Sequence, residues 1–441
     1  MSGKWNLIGG FALFGVSLAV QPLFGNQVAK PQAKPECLVI IGNMNGNLTP
    51  CGCTSPMTGG LKRLGTLVKQ QRSLYPRTYL LINGGTVKSA GTQSEVGFQQ
   101  SVLKAKLIAE TAQELAPSVV NMDSTFAGYG QSLIAEMQIL APQCLLQGAT
   151  VEPSPSAPSS LSLSNYHHFG SFLIGVADKN PSVIANALGK AQEPTNQNVA
   201  QLVYQAQMKG LTPVLLLHGN LNLATSIAQN FPQLGLIAYA SKGSAPQSET
   251  KVGQVWLVSN GDDGKTAAIV TFASHKFITY RAQHLTPNFQ DSKRIAHLFH
   301  QYLHEVDAAN LLAQLPRFKT GQYVGSKACL SCHADSYHIW IHSAHAHAYH
   351  DLIVRGHQKD PDCVKCHVTG LDSIYGFRSL QSTPKFANVT CESCHGPGKL
   401  HCEFPKTHPV LNGQQSCISC HTPQNSPNFD FDKYWQRIIH K

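Results

Sequence analysis

The chain has 441 residues, 42% hydrophobic and only 13% charged, so it reads as globular, with length for two or three domains and apolar residues for a sizeable core. Its formal net charge of +10 raises nucleic acid or a membrane surface as partners. The Lys and Arg residues are spread out, with no cluster and no basic helix interleaved with aromatics, which excludes nucleic acid.

Residues 1–28, MSGKWNLIGGFALFGVSLAVQPLFGNQV, place Lys4 before an apolar run from Leu7 to Val20, with the small residues Ser17 and Ala19 at the spacing of a cleavage site. The segment reads as a secretory signal or as an uncleaved N-terminal anchor. Either places the remainder in the periplasm or another extracytoplasmic space, and the anchor would add membrane association. Residues 29–36 form a Pro/Lys linker.

From Cys37 onward, short apolar runs alternate with amphipathic stretches. Residues 37–41, 78–82 and 118–120 predict buried strands, and 60–71 and 98–115 predict helices. Further strands are predicted at 172–177, 212–218, 234–240, 255–259, 267–273 and 276–282. Early alternation followed by consecutive strands predicts α/β layers over 37–285. The Ser/Pro-rich stretch 151–164 predicts an exposed loop. Residues 292–315 predict one long helix within a connecting segment, 286–320. Beyond Gly321 periodicity gives way to short helices and loops rich in Cys, His, Gly and Pro. Nine of the 13 cysteines and 13 of the 21 histidines lie from Cys329 onward.

That tail contains one box four times: CLSCH (329–333), CVKCH (363–367), CESCH (391–395) and CISCH (417–421). CxxCH is the attachment signature of c-type haem. Cys329 and Cys332, Cys363 and Cys366, Cys391 and Cys394, and Cys417 and Cys420 would each form thioethers to one haem. His333, His367, His395 and His421 would reach the irons from the same side. Structural zinc also uses paired cysteines, but it does not demand a histidine after every pair. Four covalent haems in residues 321–441 leave too little chain to bury each separately, so the haems must pack together and form much of the core. Closely packed porphyrins conduct electrons. Residues 325–441 carry 11 Lys/Arg and 9 Asp/Glu, and two propionates per haem would turn that +2 net negative.

Residues 323–352, CVKCHVTG (363–370), CESCHGPGKLH (391–401) and residues 417–440 together resemble the cytochrome c-554 type of multihaem cytochrome. The resemblance implies a mostly α, loop-rich tetrahaem electron carrier of the periplasm. It also implies distal iron ligands: His345 in WIHSAHAHA and His401 in CHGPGKLH, the latter for a neighbouring haem. His440 and His357 are further candidates, His357 ahead of His350, His347 and His408. His338 and His342, on one helical face with His345, are expected to serve propionates or solvent. One haem of that family lacks a distal histidine, so an open iron acting on a small nitrogen or sulfur compound is the alternative to a pure carrier. A redox partner protein or a quinol-linked oxidase or dehydrogenase system is expected; its identity is not encoded.

IIGNMNGNLTPCGCTSPMTGGLKR (40–63) resembles the opening of the calcineurin-like metallophosphoesterases, in the 5′-nucleotidase branch. That resemblance implies a four-layer αββα sandwich. The family's two-metal site departs here: its first ligand pair aligns with Asn43 and Asn45, its bridging carboxylate falls in Asn83-Gly84-Gly85, and its last histidine pair falls in 237–243, which has none. Asn121 and His218 are the candidate survivors, and strand-end hydrogen bonding is the preferred reading of both. Two dications need carboxylates, so a catalytically dead scaffold or docking face is expected, with no catalytic residue assigned; an active phosphoesterase with an electron-transfer appendage is the remaining alternative. Cys37, Cys51, Cys53, Cys144 and Cys402 lie outside the boxes. A disulfide from Cys37 to Cys51 or Cys53 is the pairing considered.

Overall fold

A computed structural model describes residues 34–50, 57–90, 93–140, 144–147, 165–189, 195–242, 245–422, 425–426 and 428–440. The N-terminal segment 1–28, most of the linker, Cys51, Cys53 and the stretch 151–164 lie outside the described residues. No helix among the described residues is long and apolar enough to cross a membrane.

Two six-stranded sheets form the front of the chain. The first half supplies β1 (Glu36–Gly42), α1 (Leu61–Leu74), β2 (Arg77–Asn83), α2 (Glu95–Leu115), β3 (Val119–Asn121), α3 (Ser124–Ala127), α4 (Gln131–Leu140) and β4 (Cys144–Leu145). There follow β5 (Tyr166–Phe169), β6 (Phe172–Asp178), α5 (Pro181–Leu188), α6 (Thr195–Lys209), β7 (Thr212–His218), α7 (Leu221–Asn230) and β8 (Leu236–Tyr239). The front closes with β9 (Thr250–Val252), β10 (Val255–Ser259), β11 (Thr266–Ala273), β12 (Lys276–His284) and α8 (Lys293–Ala308). Strand order is β12-β11-β1-β2-β3-β4 in one sheet and β5-β6-β7-β8-β10-β9 in the other. β1 to β4 are parallel, and β11 returns antiparallel beside β1.

The side-chain period of 2 in a strand explains the layers. Cys37, Val39 and Ile41 of β1 enter the core beneath α1, α2, α4 and α8, whereas Leu38 and Ile40 enter the core between the sheets. Phe172 and Ile174 of β6 face that same middle core, and Leu173 faces a third core under α6 and α7. Helices, sheet, sheet, helices is the four-layer αββα sandwich. Strands buried on both faces read as continuous apolar runs, which is why they were visible in the sequence.

The long helix expected over 292–315 is interrupted. It ends at Ala308, and Asn310 takes a left-handed conformation, φ 49°, before a separate turn Leu311–Gln314. Asn tolerates that region, and the break lets Leu311 turn into the front core and Leu312 into the tail's. On α8, Ile295, Phe299, Tyr302 and Val306 are buried with the front helices. Cys37 is a buried free thiol, which corrects the disulfide considered for it. Cys51 and Cys53, the partners considered for it, lie outside the described residues.

The tail is built differently. Among the described residues its apolar cluster holds nine buried members, including Leu312, Tyr349, Val364, Val368 and Phe377, against 37 in the largest front cluster. Its helices are short: Ala334–Ile341, Ala348–Arg355, Cys391–His395 and Lys399–Glu403 are typical. His338 lies within the first and His342 caps it, while His345 belongs to a separate 3-10 turn, Ala344–His347. The three therefore do not share one helical face, because the chain turns at Ser343, whose hydroxyl donates to Trp340 O.

Candidate functional site

The histidine rings of the tail come in pairs. His333 lies 6.2 Å from His401 between ring centroids, His345 lies 6.2 Å from His421, and His395 lies 5.8 Å from His440. Two imidazoles on opposite sides of one metal, each bonded at about 2 Å with a further ~1.1 Å from nitrogen to ring centre, have centroids roughly 6.2 Å apart. Each pair joins one box histidine to one from elsewhere in the tail.

Ring orientation fits the same chemistry. A metal-binding histidine usually donates its other ring N–H to a carbonyl, which fixes the tautomer. His367 Nδ1 donates to Ala348 O at 2.6 Å, His395 to Leu411 O at 2.9 Å, His401 to His408 O at 3.0 Å and His440 to Ile438 O at 2.7 Å. His421 Nδ1 lies 3.0 Å from Ser426 Oγ. In the four rings that donate to a carbonyl, Nε2 is left as the lone-pair nitrogen. Burial holds His345, His367 and His421 below the usual imidazole range, so these rings are neutral near pH 7, the form that binds metal.

Local contacts explain the pairing. Glu392, the second residue of the third box, accepts from the backbone N–H groups of Val324, Gly325 and Gly398 at 2.7–3.2 Å. This staple holds the chain entering the first box against the loop that leads to His401, and so brings His401 to His333. Trp340 Nε1 donates to Val389 O at 2.8 Å, and Val389 N donates to His345 O at 3.1 Å. The thiol of Cys329 lies close to that of Cys391, and the thiol of Cys366 to that of Cys420. Boxes one and three are therefore neighbours, and so are boxes two and four.

His367 is the exception. Among the described residues it makes no ring contact with another histidine. His357 is buried nearby, its ring 5.5 Å from Phe299, its Nδ1 3.6 Å from Cys363 Sγ and 3.8 Å from Asp360 Oδ2. His408 is exposed, His347 caps a helix and His350 lies on an exposed helical position.

In the front, the positions that resemble the hydrolase ligands form an amide network. Asn43 and Asn45 both sit in the left-handed region, φ 49° and 51°. Asn43 donates to Asp262 Oδ1; Asn45 donates to Asp262 and Asp263 at 3.1 and 3.2 Å, and Asn47 to Asp263 at 3.1 Å. Asn83, at the end of β2, donates to Leu217 O, Ala238 O and Asn260 Oδ1, and accepts from Asn121. A side chain cannot be restored at Gly85: its φ is 59°, and a Cβ would lie 2.6 Å from Asn43 Cα.

His218 joins something sequence reasoning missed. Its Nδ1 lies 2.8 Å from Asp123 Oδ2 and 2.9 Å from Asp178 Oδ2, all three side chains being buried. Asp123 also accepts from Gly85 N and Phe126 N, and Asp178 from Ser124 N and Asn180 N. Burial opposes the charge on His218, but the two aspartates outweigh it and raise its pKa to about 9. Burial likewise opposes the charge of Asp123, and the His218 imidazolium and hydrogen bonds bring its carboxyl below the usual range. The three residues could hold a cation, yet the carboxylates already accept backbone N–H donors and His218 turns Nδ1 between them. An internal ion triad, tying β3 of one sheet to β6 and β7 of the other, accounts for every contact. The only sequence signal was an Asp at or just after the end of two buried strands.

Comparison with known proteins follows the same division. Residues 328–396 match the family described as cytochrome c554 and c-prime. The tail is 34% identical over 92 residues to cytochrome c-554 of Nitrosomonas europaea; the match takes in 18% of this chain and 39% of that protein's length. By structure, the chain is similar to the NAD nucleotidase of Haemophilus influenzae, with a TM-score of 0.51 and 13% identity over 67% of this chain and 64% of that one. It also aligns with a 5′-nucleotidase precursor from Thermus thermophilus, with a TM-score of 0.49 and 14% identity over 73% and 68% of the two chains. The front therefore has the calcineurin-like 5′-nucleotidase fold, and the tail resembles cytochrome c554.

Proposed function

We propose that this chain is an extracytoplasmic electron-transfer protein carrying four c-type haems, with a hydrolytically inactive nucleotidase-like domain as scaffold. The observation that carries the reading is the set of three histidine pairs at bis-axial spacing, each including one CxxCH histidine. The paired cysteines of each box would hold one haem, and a c-type haem supplies a one-electron couple, closed to substrate where two histidines ligate it. The chain's own residues fix the ligand rings through Ala348 O, Leu411 O, His408 O and Ile438 O. The contacts between Cys329 and Cys391, and between Cys366 and Cys420, support haems close enough for electrons to pass. A redox protein or quinol-linked enzyme would be the partner.

Protein exported from a host that matures c-type cytochromes is expected to contain four haems and four irons per chain. A colourless or zinc-loaded product would sink the reading. With Mn²⁺ added, the same protein is expected to turn over neither a phosphodiester nor a nucleotide, because amides occupy the places where carboxylates would offset two dications. Turnover abolished by His218→Ala would revive the hydrolase.

The lone position of His367 favours a second reading, in which its iron binds small molecules. Reduced protein titrated with carbon monoxide is then expected to take up one equivalent per four haems. Zero uptake would mean a sixth ligand closes that iron.

A further inference from the structure

Helix α8 carries its buried residues, Ile295, Phe299, Tyr302 and Val306, on one stripe. At about 100° per residue, His297, His300 and His304 fall within an arc of roughly 60° on the opposite side. All three are exposed. They are three of the eight histidines that precede Cys329, gathered in about two turns of helix. None of the three rings has a hydrogen-bond, ion-pair or ring partner among the described residues. The proposed haem ligands all lie in the tail, so that reading gives these rings no task. The charges along the arc are uneven. Lys293 stands one turn before His297, and Asp307 stands one turn beyond His304, its carboxylate 3.4 Å from Lys359 Nζ of the tail. Arg294 pairs with Glu114 at 2.7 Å, and Glu305 with Lys106 at 2.5 Å. A cation is therefore repelled more at the His297 end than at the His304 end.

We infer that His300 and His304 chelate one divalent late transition-metal ion, of the class of Zn²⁺, Ni²⁺ and Cu²⁺, on the outer face of α8. Side chains four apart on a helix are neighbours, with Cβ atoms about 5–6 Å apart. Two imidazoles in that relation can each reach a shared ion at about 2.0–2.1 Å, and helical zinc sites use the same spacing of two histidines. Imidazole suits these ions, whereas Mg²⁺ and Ca²⁺ take oxygen ligands. The three rings do not converge in the structure. Exposed side chains change rotamer within nanoseconds, so convergence costs rotamer freedom and breaks no buried contact. His297 lies roughly 10 Å along the axis from His304, too far to add much to the pair, and water would complete the shell. The inference is independent of the tetrahaem reading and of the degenerate hydrolase positions.

The test is equilibrium dialysis of the matured holoprotein against Zn²⁺, which has no redox chemistry of its own to exchange with haem. Wild type is compared with His297→Ala, His300→Ala, His304→Ala and the double variant His300→Ala with His304→Ala. Each position is exposed and alanine is the best helix former, so the variants should fold. Wild type is expected to hold one equivalent more than the double variant, the other exposed histidines contributing alike to both. His300→Ala and His304→Ala should each weaken that equivalent by roughly tenfold or more, because the second imidazole no longer binds intramolecularly. His297→Ala should leave it in place. Equal Zn²⁺ uptake by wild type and the double variant would overturn the inference. So would loss of the equivalent in His297→Ala with His304→Ala unaffected, which would move the ion to the other end of the arc. Neither result bears on the haem count.

Discussion

On the proposed reading, replacing His401 with alanine is expected to turn one low-spin haem of the mature protein high-spin, although His401 lies in the third box's loop and the affected iron would be held by His333 of the first. The reason is the 6.2 Å separation of those two rings, with Nδ1 of His401 committed to His408 O. Paramagnetic resonance should show loss of one of the three paired low-spin signals and gain of a high-spin one, with the haem count unchanged. His345→Ala should do the same at the fourth box, and His440→Ala at the third. A double variant, His401→Ala with His440→Ala, should convert two irons, because the pairs share no histidine. Unchanged low-spin content in His401→Ala would show that another ligand closes the first iron. His357→Ala separates the remaining case: it should leave the three paired signals intact.

The largest loss of stability is expected from Asp123→Ala. Removing one carboxylate leaves a buried imidazolium with Asp178 as its remaining charged partner, and it also deletes the cap of α3. Breaking a buried ion pair costs roughly 3–5 kcal/mol, enough to threaten a domain of ordinary stability. Denaturant unfolding followed by far-ultraviolet circular dichroism would measure it. A loss under about 1 kcal/mol, the size of an ordinary surface pair, would mean the triad contributes little.

The same triad predicts how stability varies with pH. His218 titrates near pH 9 in the folded chain and near 6.5 when unfolded. Its contribution is complete below about pH 6.5 and is lost as pH rises through 9, an effect on the order of 3 kcal/mol. Asp123 is shifted downward, so its contribution is present above the usual carboxylate range and is lost as pH falls below it. Stability of the front should therefore decline between pH 6.5 and 9. His218→Gln should flatten that decline.

The sequence by itself determined the chemistry and the layers. Each CxxCH box is a local motif, because two thioethers and one iron ligand must come from a single turn of chain. The buried strands were legible because a strand covered on both faces is apolar throughout, and β7 and β10 were located to the residue. Asn43, Asn45 and the glycines at 84–85 already announced that carboxylates are missing from the positions that resemble the hydrolase ligands.

Tertiary structure decided which residues meet. His333 pairs with His401 across 68 residues and His345 with His421 across 76; nothing in the local pattern of either carries that choice. The first choice follows from the Glu392 staple, and the Trp340–Val389 contact fixes the place of His345; both are long-range. Asp123, Asp178 and His218 were invisible as a unit because each is only the end of a different strand, and strand order is what aligns those ends. Asp362 reads in the sequence as a surface charge beside a haem box. It becomes an anchor only because packing brings the ammonium groups of Lys104, buried in α2, and Lys88 to within 2.6 and 2.7 Å of it. Motifs encode what a residue can bind, and packing alone sets the few ångströms that decide whether it does.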